Sequence, residues 1–167
     1  RLVVLDRGNP LGGKVEGTTL QSQYRSFVGC WEMPQRYGLT CGEFARMVNA
    51  EDNIGCDLHV VPCEGLSRKM TFVDWGRLWV MPSLAMPRYE TALLYPGTCL
   101  FEGTNWSEGR GTADPFAIIG APGVDADRLS DAFNGLKLEG VVSTPVYFVP
   151  SASKHKGETC GGVHLHI

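Results

Sequence analysis

The segment 102–112 carries the densest set of side chains that could do chemistry. Its charged, amide and aromatic members are Glu102, Asn105, Trp106, Glu108 and Arg110. Paired carboxylates can act as general acid and base, an arginine can hold a substrate carboxylate through two hydrogen bonds, and a tryptophan face can stack on a sugar ring. Three glycines in the segment would let the backbone pass close to a ligand. The alternative is a polar surface loop with an internal Glu–Arg ion pair.

A second group of reactive residue types lies near the end of the chain, at His155, Cys160, His164 and His166. His and Cys are zinc ligands, and two histidines separated by one residue share a face of a strand. Their spacing matches no zinc module, and the pattern favours a solvated strand face. The sequence therefore predicts no metal at this cluster, and a metal-binding module built from it is the alternative.

Asp6 and Asn9 follow an apolar run at residues 2–5 that reads as a strand buried on both faces. Buried apolar strands are typical of parallel sheets with helices on each side, and the loops after such strands line the ligand crevice. Both residues are candidates for substrate binding. They could equally form an Asx-type turn before Pro10.

The elements that must position these residues alternate between strand and helix patterns. We predict strands at 58–61, 78–81, 99–101, 141–149 and 162–167. Thr40 and Glu43 fit a capping box, which predicts a helix over 41–49. Further helices are predicted to run from Pro87 to a stop at 96–97, and from 125–127 to near Gly140.

The composition bounds the class of protein. The 167 residues are 43% hydrophobic and 20% charged, which excludes a wholly disordered chain. The net charge is −3, without a basic patch, so neither nucleic acid nor an anionic membrane is an expected partner. The apolar runs are too short for a transmembrane helix. Both ends are strand-like and the chain begins at Arg1, which predicts a processed or partial chain.

The six cysteines have irregular spacing and include no CxxC pair. A chain of this size with such spacing is not a disulfide scaffold. We expect most of these cysteines to be small buried hydrophobic residues, with one or two disulfides still possible.

Several segments resemble the NamZ-type exo-β-N-acetylmuramidases. They include VLDRGNPLGG at 4–13, VEG at 15–17, SFVG at 26–29 and RYGLTCGE at 36–43. The most specific is MPRYETALLYPGTCLFEGTNWSEGRGT at 86–112, and residues 115–116, 119–122 and 160–163 fit as well. The resemblance runs across essentially the whole chain.

This resemblance implies an α/β fold: part of a Rossmann-like lobe over 1–112, followed by the start of a smaller α+β second lobe over 113–167. It implies an exo-acting glycosidase that removes non-reducing terminal N-acetylmuramic acid from muramyl saccharides derived from peptidoglycan. Such hydrolysis requires no metal and no organic cofactor. It further implies bacterial cell-wall recycling, and a periplasmic or secreted location.

The chain departs from the family in ways that bear on its chemistry. Tyr37 stands where the family usually has His, and Ala85 stands where it usually has Asn. The catalytic glutamate of the family lies in a Pro-Glu-His-Gly segment that these 167 residues do not contain. Glu102 and Glu108 are therefore expected in supporting catalytic roles, and the 167-residue piece alone is expected to be inactive.

The resemblance leaves open which arginine binds the substrate and whether the protein is an enzyme. Arg110, or alternatively Arg36, would pair with the carboxylate of muramic acid, while Asn105 and Trp106 would contact the sugar. The alternative to an enzyme is a non-catalytic carbohydrate-binding or scaffold protein.

Overall fold

The computed structural model describes residues 1–167, which form two compact units, Arg1–Leu78 and Trp79–Ile167. We call them the N-terminal unit and the C-terminal unit. The α-helices are α1 (Cys41–Glu51), α2 (Tyr89–Thr98) and α3 (Ala126–Gly135). The strands are β1 (Leu2–Leu5), β2 (Glu16–Thr19), β3 (Pro34–Arg36), β4 (Leu58–Val61), β5 (Ile118–Ala121), β6 (Val142–Phe148) and β7 (Cys160–His166). No helix has both the length and the apolar character that a membrane crossing requires.

The N-terminal unit is built on a parallel pair of strands. β1 pairs with β4 in the register Leu2 with Leu58 through Leu5 with Val61, and α1 packs on both strands. The capping box predicted at the start of α1 is confirmed, because Thr40 Oγ1 accepts from the Glu43 amide while the Glu43 carboxylate accepts from the Thr40 amide. This strand–helix–strand arrangement confirms the predicted α/β class.

The C-terminal unit contains an antiparallel sheet with the strand order β5-β7-β6. The alternation predicted for the last strand is confirmed, since Val163 and Leu165 are buried while His164 and His166 are partly exposed. Helix α3 covers the buried face. A hydrogen-bond cluster joins α3 to β6, with Ser143 bonded to both Ser130 and Asn134.

The buried face of this sheet forms the core of the C-terminal unit. Ile119, Val163 and Leu165 are at its centre. The partly buried hydrophobic residues packed against them are Leu94, Phe101, Trp106, Leu129, Phe133 and Val141. The core thus extends directly to the beginning of the 102–112 segment.

Several predictions about local structure were wrong. Residues 78–81 form no strand, and Leu78 and Val80 are exposed because no neighbouring strand pairs with them. Residues 99–101 belong to a 3-10 helix, Cys99–Gly103, that continues α2 past Pro96. A proline near the end of a helix removes only one backbone hydrogen bond, so the chain can stay helical there. Helix α3 ends at Gly135, earlier than predicted.

The predicted burial was also wrong in two places. Leu2, Val3 and Leu5 are substantially exposed, because β1 has a strand neighbour on one side only. All six cysteines are free thiols, and Cys160 alone is buried. The exposed thiols, Cys30, Cys41 and Cys63, lie in or next to loops, where an apolar side chain has no core to join.

Candidate functional site

The 102–112 segment is a tightly bonded loop in the C-terminal unit. Its backbone is tied to β5 by the paired hydrogen bonds between Ser107 and Gly120, at 2.7 and 3.1 Å. Gly109 and Gly111 adopt left-handed conformations, with φ of 81° and 84°, that a side chain would strain. The loop is therefore a fixed platform and its side chains have defined positions.

Four charged side chains of this region form a chain of alternating sign. Lys154 Nζ lies 3.1 Å from Glu108 Oε2, and Glu108 Oε1 lies 3.4 Å from Arg110 Nε. Arg110 Nη2 then contacts Glu102 Oε1 at 2.8 Å. We call these four residues, Lys154, Glu108, Arg110 and Glu102, the charge chain. The predicted Glu–Arg pair is present, and it is extended inward by a lysine that the sequence did not single out.

The two carboxylates of the charge chain differ in their exposure to solvent. The Glu102 side chain is 39% exposed, whereas the Glu108 side chain is 3% exposed. A buried carboxylate is tolerated when cations and hydrogen-bond donors surround it, and Glu108 has a cation on each side. Glu102 and Arg110 can therefore contact a ligand directly, while Glu108 acts on them from inside.

Aromatic rings support the exposed end of the charge chain. The Arg110 guanidinium lies 5.0 Å from the centre of the Phe116 ring, and Tyr95 meets that ring edge-on at 4.7 Å. Burial, together with the negative charge of Glu102, raises the pKa of Tyr95. The hydroxyl of Tyr95 consequently stays protonated and available as a hydrogen-bond donor over a wide pH range.

The other two predicted members of the segment have different surroundings. Asn105 is exposed, and its backbone oxygen lies 2.6 Å from His155 Nε2. Trp106 packs on the core and on Phe101, with ring centres 6.2 Å apart, so only part of its surface faces solvent. Trp106 offers a smaller stacking surface than the sequence suggested.

Three residues that contact the charge chain or flank one of its members in sequence have strained backbones. Phe116, Ser153 and His155 have φ values of 64°, 66° and 55°, a region that residues other than glycine rarely enter. Such conformations persist where the surrounding structure over-determines them, and they cluster at functional sites. Two further residues, Asn53 and Lys137, also have positive φ, so three of the five strained residues lie at or beside the charge chain.

The terminal histidines belong to a separate polar cluster. Asp114 forms an ion pair with Arg88 and accepts from His164 Nε2 at 2.7 Å. The His164 and His166 rings are 4.4 Å apart, and burial, together with the electrostatic influence of the His164 ring and of Arg88, lowers the pKa of His166. No three His, Cys, Asp or Glu side chains converge as metal ligands, so the predicted H-x-H pair lacks a third ligand.

Asp6 and Asn9 lie in the N-terminal unit and already have partners within the protein. Asp6 accepts from the Gly42 amide and the Thr40 hydroxyl, both at 2.7 Å. Asn9 accepts from the Leu11 amide at 3.0 Å, which is the Asx-type turn considered from the sequence. Direct substrate contact by either residue stays a prediction.

Arg36, the alternative carboxylate-binding residue, is also engaged. Its guanidinium contacts Glu16 Oε2 and the Leu11 carbonyl oxygen, both at 2.5 Å. Its side chain is 20% exposed. Arg36 thus presents less free guanidinium surface than Arg110 does.

A cleft of about 740 Å³ lies at the carboxyl ends of the parallel strands in the N-terminal unit. In open α/β sheets, ligands bind at this edge. Its walls include a tryptophan, two arginines and two carboxylates, namely Trp75, Arg7, Arg77, Glu64 and Asp74. The size and polarity of the cleft suit a saccharide-sized ligand.

Two protein-family models match successive parts of the chain. The model for the N-terminal domain of the exo-β-N-acetylmuramidase NamZ matches residues 1–90, and the model for the C-terminal domain matches residues 93–167. The chain belongs to the NamZ family.

One curated protein and two crystal structures are similar to this chain. Peptidoglycan β-N-acetylmuramidase NamZ of Bacillus subtilis strain 168 is 46% identical over 166 residues, which is 99% of this chain and 40% of that protein. A DUF1343 family crystal structure from Bacteroides fragilis NCTC 9343 superposes with a TM-score of 0.90 at 40% identity, over 99% of this chain and 44% of its own length. A second from the same strain gives 0.76 at 33% identity, over 97% and 43%.

The chain therefore spans about two fifths of the length of these relatives. The two NamZ models meet between residues 90 and 93, and the compact units meet between residues 78 and 79. The lobe boundary expected after residue 112 stays a prediction.

Sequence reasoning missed Lys154 and Tyr95 as members of this site. Tyr95 lies in a helical pattern that is typical of core packing, so nothing in the sequence indicated that its hydroxyl belongs to the site. Lys154 lies between two residues with left-handed backbones, and neither the turn nor its docking could be read from the residues around it.

Proposed function

We propose that this chain is part of an exo-β-N-acetylmuramidase that releases N-acetylmuramic acid from the non-reducing end of peptidoglycan fragments. The observation that carries the proposal is the match of both NamZ domains to successive parts of one chain. The similarity to the Bacillus subtilis muramidase supports it. The substrates would be muramyl saccharides, and the protein would work in cell-wall turnover outside the cytoplasm.

The chemistry of glycoside hydrolysis fits the residue types at the site. Hydrolysis through an oxocarbenium-like transition state uses carboxyl groups and needs neither a metal nor an organic cofactor. The exposed carboxylate of Glu102 would orient a sugar hydroxyl. Glu108, which is buried, would support catalysis through Arg110.

Arg110 would select the sugar. Muramic acid carries a lactyl carboxylate that N-acetylglucosamine lacks, and an arginine can bind such a group through two hydrogen bonds. The contacts of Arg110 with Glu102 and Glu108 use Nε and Nη2, which leaves Nη1 for a ligand. Asn105 would bind the acetamido group, and the free part of the Trp106 ring would contact the sugar.

The test is substrate selectivity in the full-length gene product. Arg110→Ala should lower kcat/KM for a muramoyl glycoside about 10- to 100-fold more than for the matching glucosaminyl glycoside, the range expected for a charge-assisted hydrogen bond. Arg128→Ala removes an exposed arginine on α3 and is the matched control. Equal losses on the two glycosides in Arg110→Ala would remove Arg110 from the selection of the sugar.

A carbohydrate-binding role without hydrolysis is the second candidate. It is favoured by Tyr37 and Ala85, which replace polar residues that the family usually has at those positions. Binding of N-acetylmuramic acid by the full-length protein, with no release of the sugar from peptidoglycan fragments, would establish this role and exclude the muramidase.

A further inference from the structure

We propose that Lys154 is a positioning residue that acts through Glu108 to hold Arg110 ready for an anionic sugar. This inference deepens the proposed function and rests on it. The turn 150–157 lies against the 102–112 loop. Ser151 donates to the Gly111 carbonyl oxygen from its amide at 2.9 Å and from its hydroxyl at 2.8 Å.

The turn has a shape that positions Lys154 for this role. The Gly157 amide donates to the Pro150 carbonyl oxygen at 2.9 Å, which closes the turn. Ser153 and His155, on either side of Lys154, both have positive φ. Two residues with positive φ on either side of Lys154 need compensation from the contacts that dock the turn on the loop.

The Lys154 ammonium is held by two hydrogen bonds and one ion pair. The ammonium donates to the Phe101 carbonyl oxygen at 2.7 Å and to the Trp106 carbonyl oxygen at 3.0 Å. The Glu108 carboxylate forms an ion pair with it at 3.1 Å, and Glu108 Oε2 accepts no hydrogen bond. The two carbonyls fix the ammonium in place, so the charge that Glu108 meets has a defined position.

The charge of Lys154 decides how Glu108 acts on Arg110. A buried carboxylate that loses one of its cations draws more strongly on the other, because an unpaired charge in the interior is costly. Without Lys154, Glu108 would compete with Glu102 for the Arg110 guanidinium. With Lys154 present, Arg110 can stay turned toward Glu102 and toward solvent, where a carboxylate of the sugar could reach it.

The experiment measures KM and kcat of the full-length gene product on a muramoyl glycoside, with equilibrium binding of N-acetylmuramic acid and N-acetylglucosamine. Lys154→Met should raise KM about tenfold while kcat changes little, and it should weaken binding of the acidic sugar but not of the neutral one. Lys154→Arg, which keeps the charge, should recover part of the loss. Lys156→Met changes an exposed lysine of the same turn and should have no effect.

The route through Glu108 is tested in the Glu108→Gln background. There the buried charge is absent, so adding Lys154→Met should change KM less than about twofold, as a double-mutant cycle requires for coupled residues. A tenfold effect of Lys154→Met in that background would overturn the route. This comparison also remains valid if Lys154→Met alone fails to fold, because the double variant has no unpaired buried carboxylate.

The two proposals fail in different ways. A wild-type protein that neither hydrolyses nor binds a muramoyl sugar would end the proposed function, and the positioning role with it. A wild-type protein that binds the acidic sugar, together with a folded Lys154→Met variant that binds it equally well, would end the positioning role alone. The positioning role would also be overturned if the loss of sugar binding in Lys154→Met were equal for the acidic and the neutral sugar and paralleled a fall in melting temperature.

Discussion

Burial separates carboxylates that look alike in the sequence. Glu102 and Glu108 lie in one polar segment and have the same chemistry, yet one faces solvent and the other is enclosed by two cations. A side chain that is enclosed acts on its neighbours rather than on a ligand. The same reasoning applies to Asp6 in the N-terminal unit, where a buried carboxylate holds a helix.

We predict that Asp6→Asn destabilises the protein by about 1 to 3 kcal/mol at neutral pH, since charge-assisted hydrogen bonds are replaced by weaker ones. The Asp6 carboxylate accepts from the Gly42 amide, the Thr40 hydroxyl and the Arg7 amide. Urea unfolding of the wild type and the variant measures the difference. Asp57→Asn, at an exposed carboxylate, is the control and should stay within about 0.5 kcal/mol of the wild type.

The pH dependence of this difference follows from the pKa of Asp6. Burial raises that pKa, but the hydrogen bonds from Gly42, Thr40 and Arg7 outweigh it, so the pKa is lowered from 3.8. A carboxyl whose pKa is lower in the folded state contributes stability above its unfolded pKa, and that stability is lost as the pH falls further. The gap between wild type and Asp6→Asn should therefore narrow as the pH drops below 3.8. If the stability difference between wild type and Asp6→Asn instead grew on acidification, the lowered pKa of Asp6 would be contradicted.

Among the helices and strands, the sequence predicted correctly those features that depend on residues close together along the chain. The capping box at Thr40 placed the start of α1, and the alternation at Val163 and Leu165 placed β7 and its buried face. The strand predicted at 99–101 failed because three apolar residues fit a strand and a helical turn equally well. Lys154 was missed because its role depends on partners about fifty residues away along the chain.

We predict that Gly162→Ala in β7 destabilises the protein by about 1 to 3 kcal/mol, the usual effect of overpacking. Gly162 lies opposite Gly120 of β5, and a Cβ atom at Gly162 would come within 2.1 Å of the Ile119 carbonyl oxygen and 2.7 Å of the Gly120 Cα atom. Both neighbouring groups are backbone, so they cannot rotate away as a side chain would. Chemical unfolding measures the loss.

Gly135→Ala in α3 is the matched control for Gly162→Ala. It adds the same methyl group where no atom lies within 4 Å. Alanine is a better helix former than glycine, so this variant should be more stable than the wild type by about 0.5 to 1 kcal/mol. If both variants moved stability in the same direction, the close approach of β5 and β7 would not be what Gly162 provides.

The sheet formed by β1 and β4 combines open edges with exposed apolar side chains. Within this chain, β1 and β4 form a sheet of only two strands, and the apolar side chains of Leu2, Val3 and Leu5 are partly exposed. Unpaired strand edges with apolar side chains are templates for pairing with another chain. The sheet of the C-terminal unit, by contrast, has its core face covered by α3.

We predict that the 167-residue chain associates with itself through β1, and that Val3→Lys weakens this association. Val3 is 49% exposed and lies at the centre of the strand, where a charge on the edge opposes pairing of two copies. Sedimentation velocity over a range of concentrations should show a larger monomer fraction for Val3→Lys. Val73→Lys places the same charge at a more exposed valine, 67% exposed in a 3-10 helix, and should associate as the wild type does. If both lysine variants dissociated the protein equally, net charge rather than the edge of β1 would control the association.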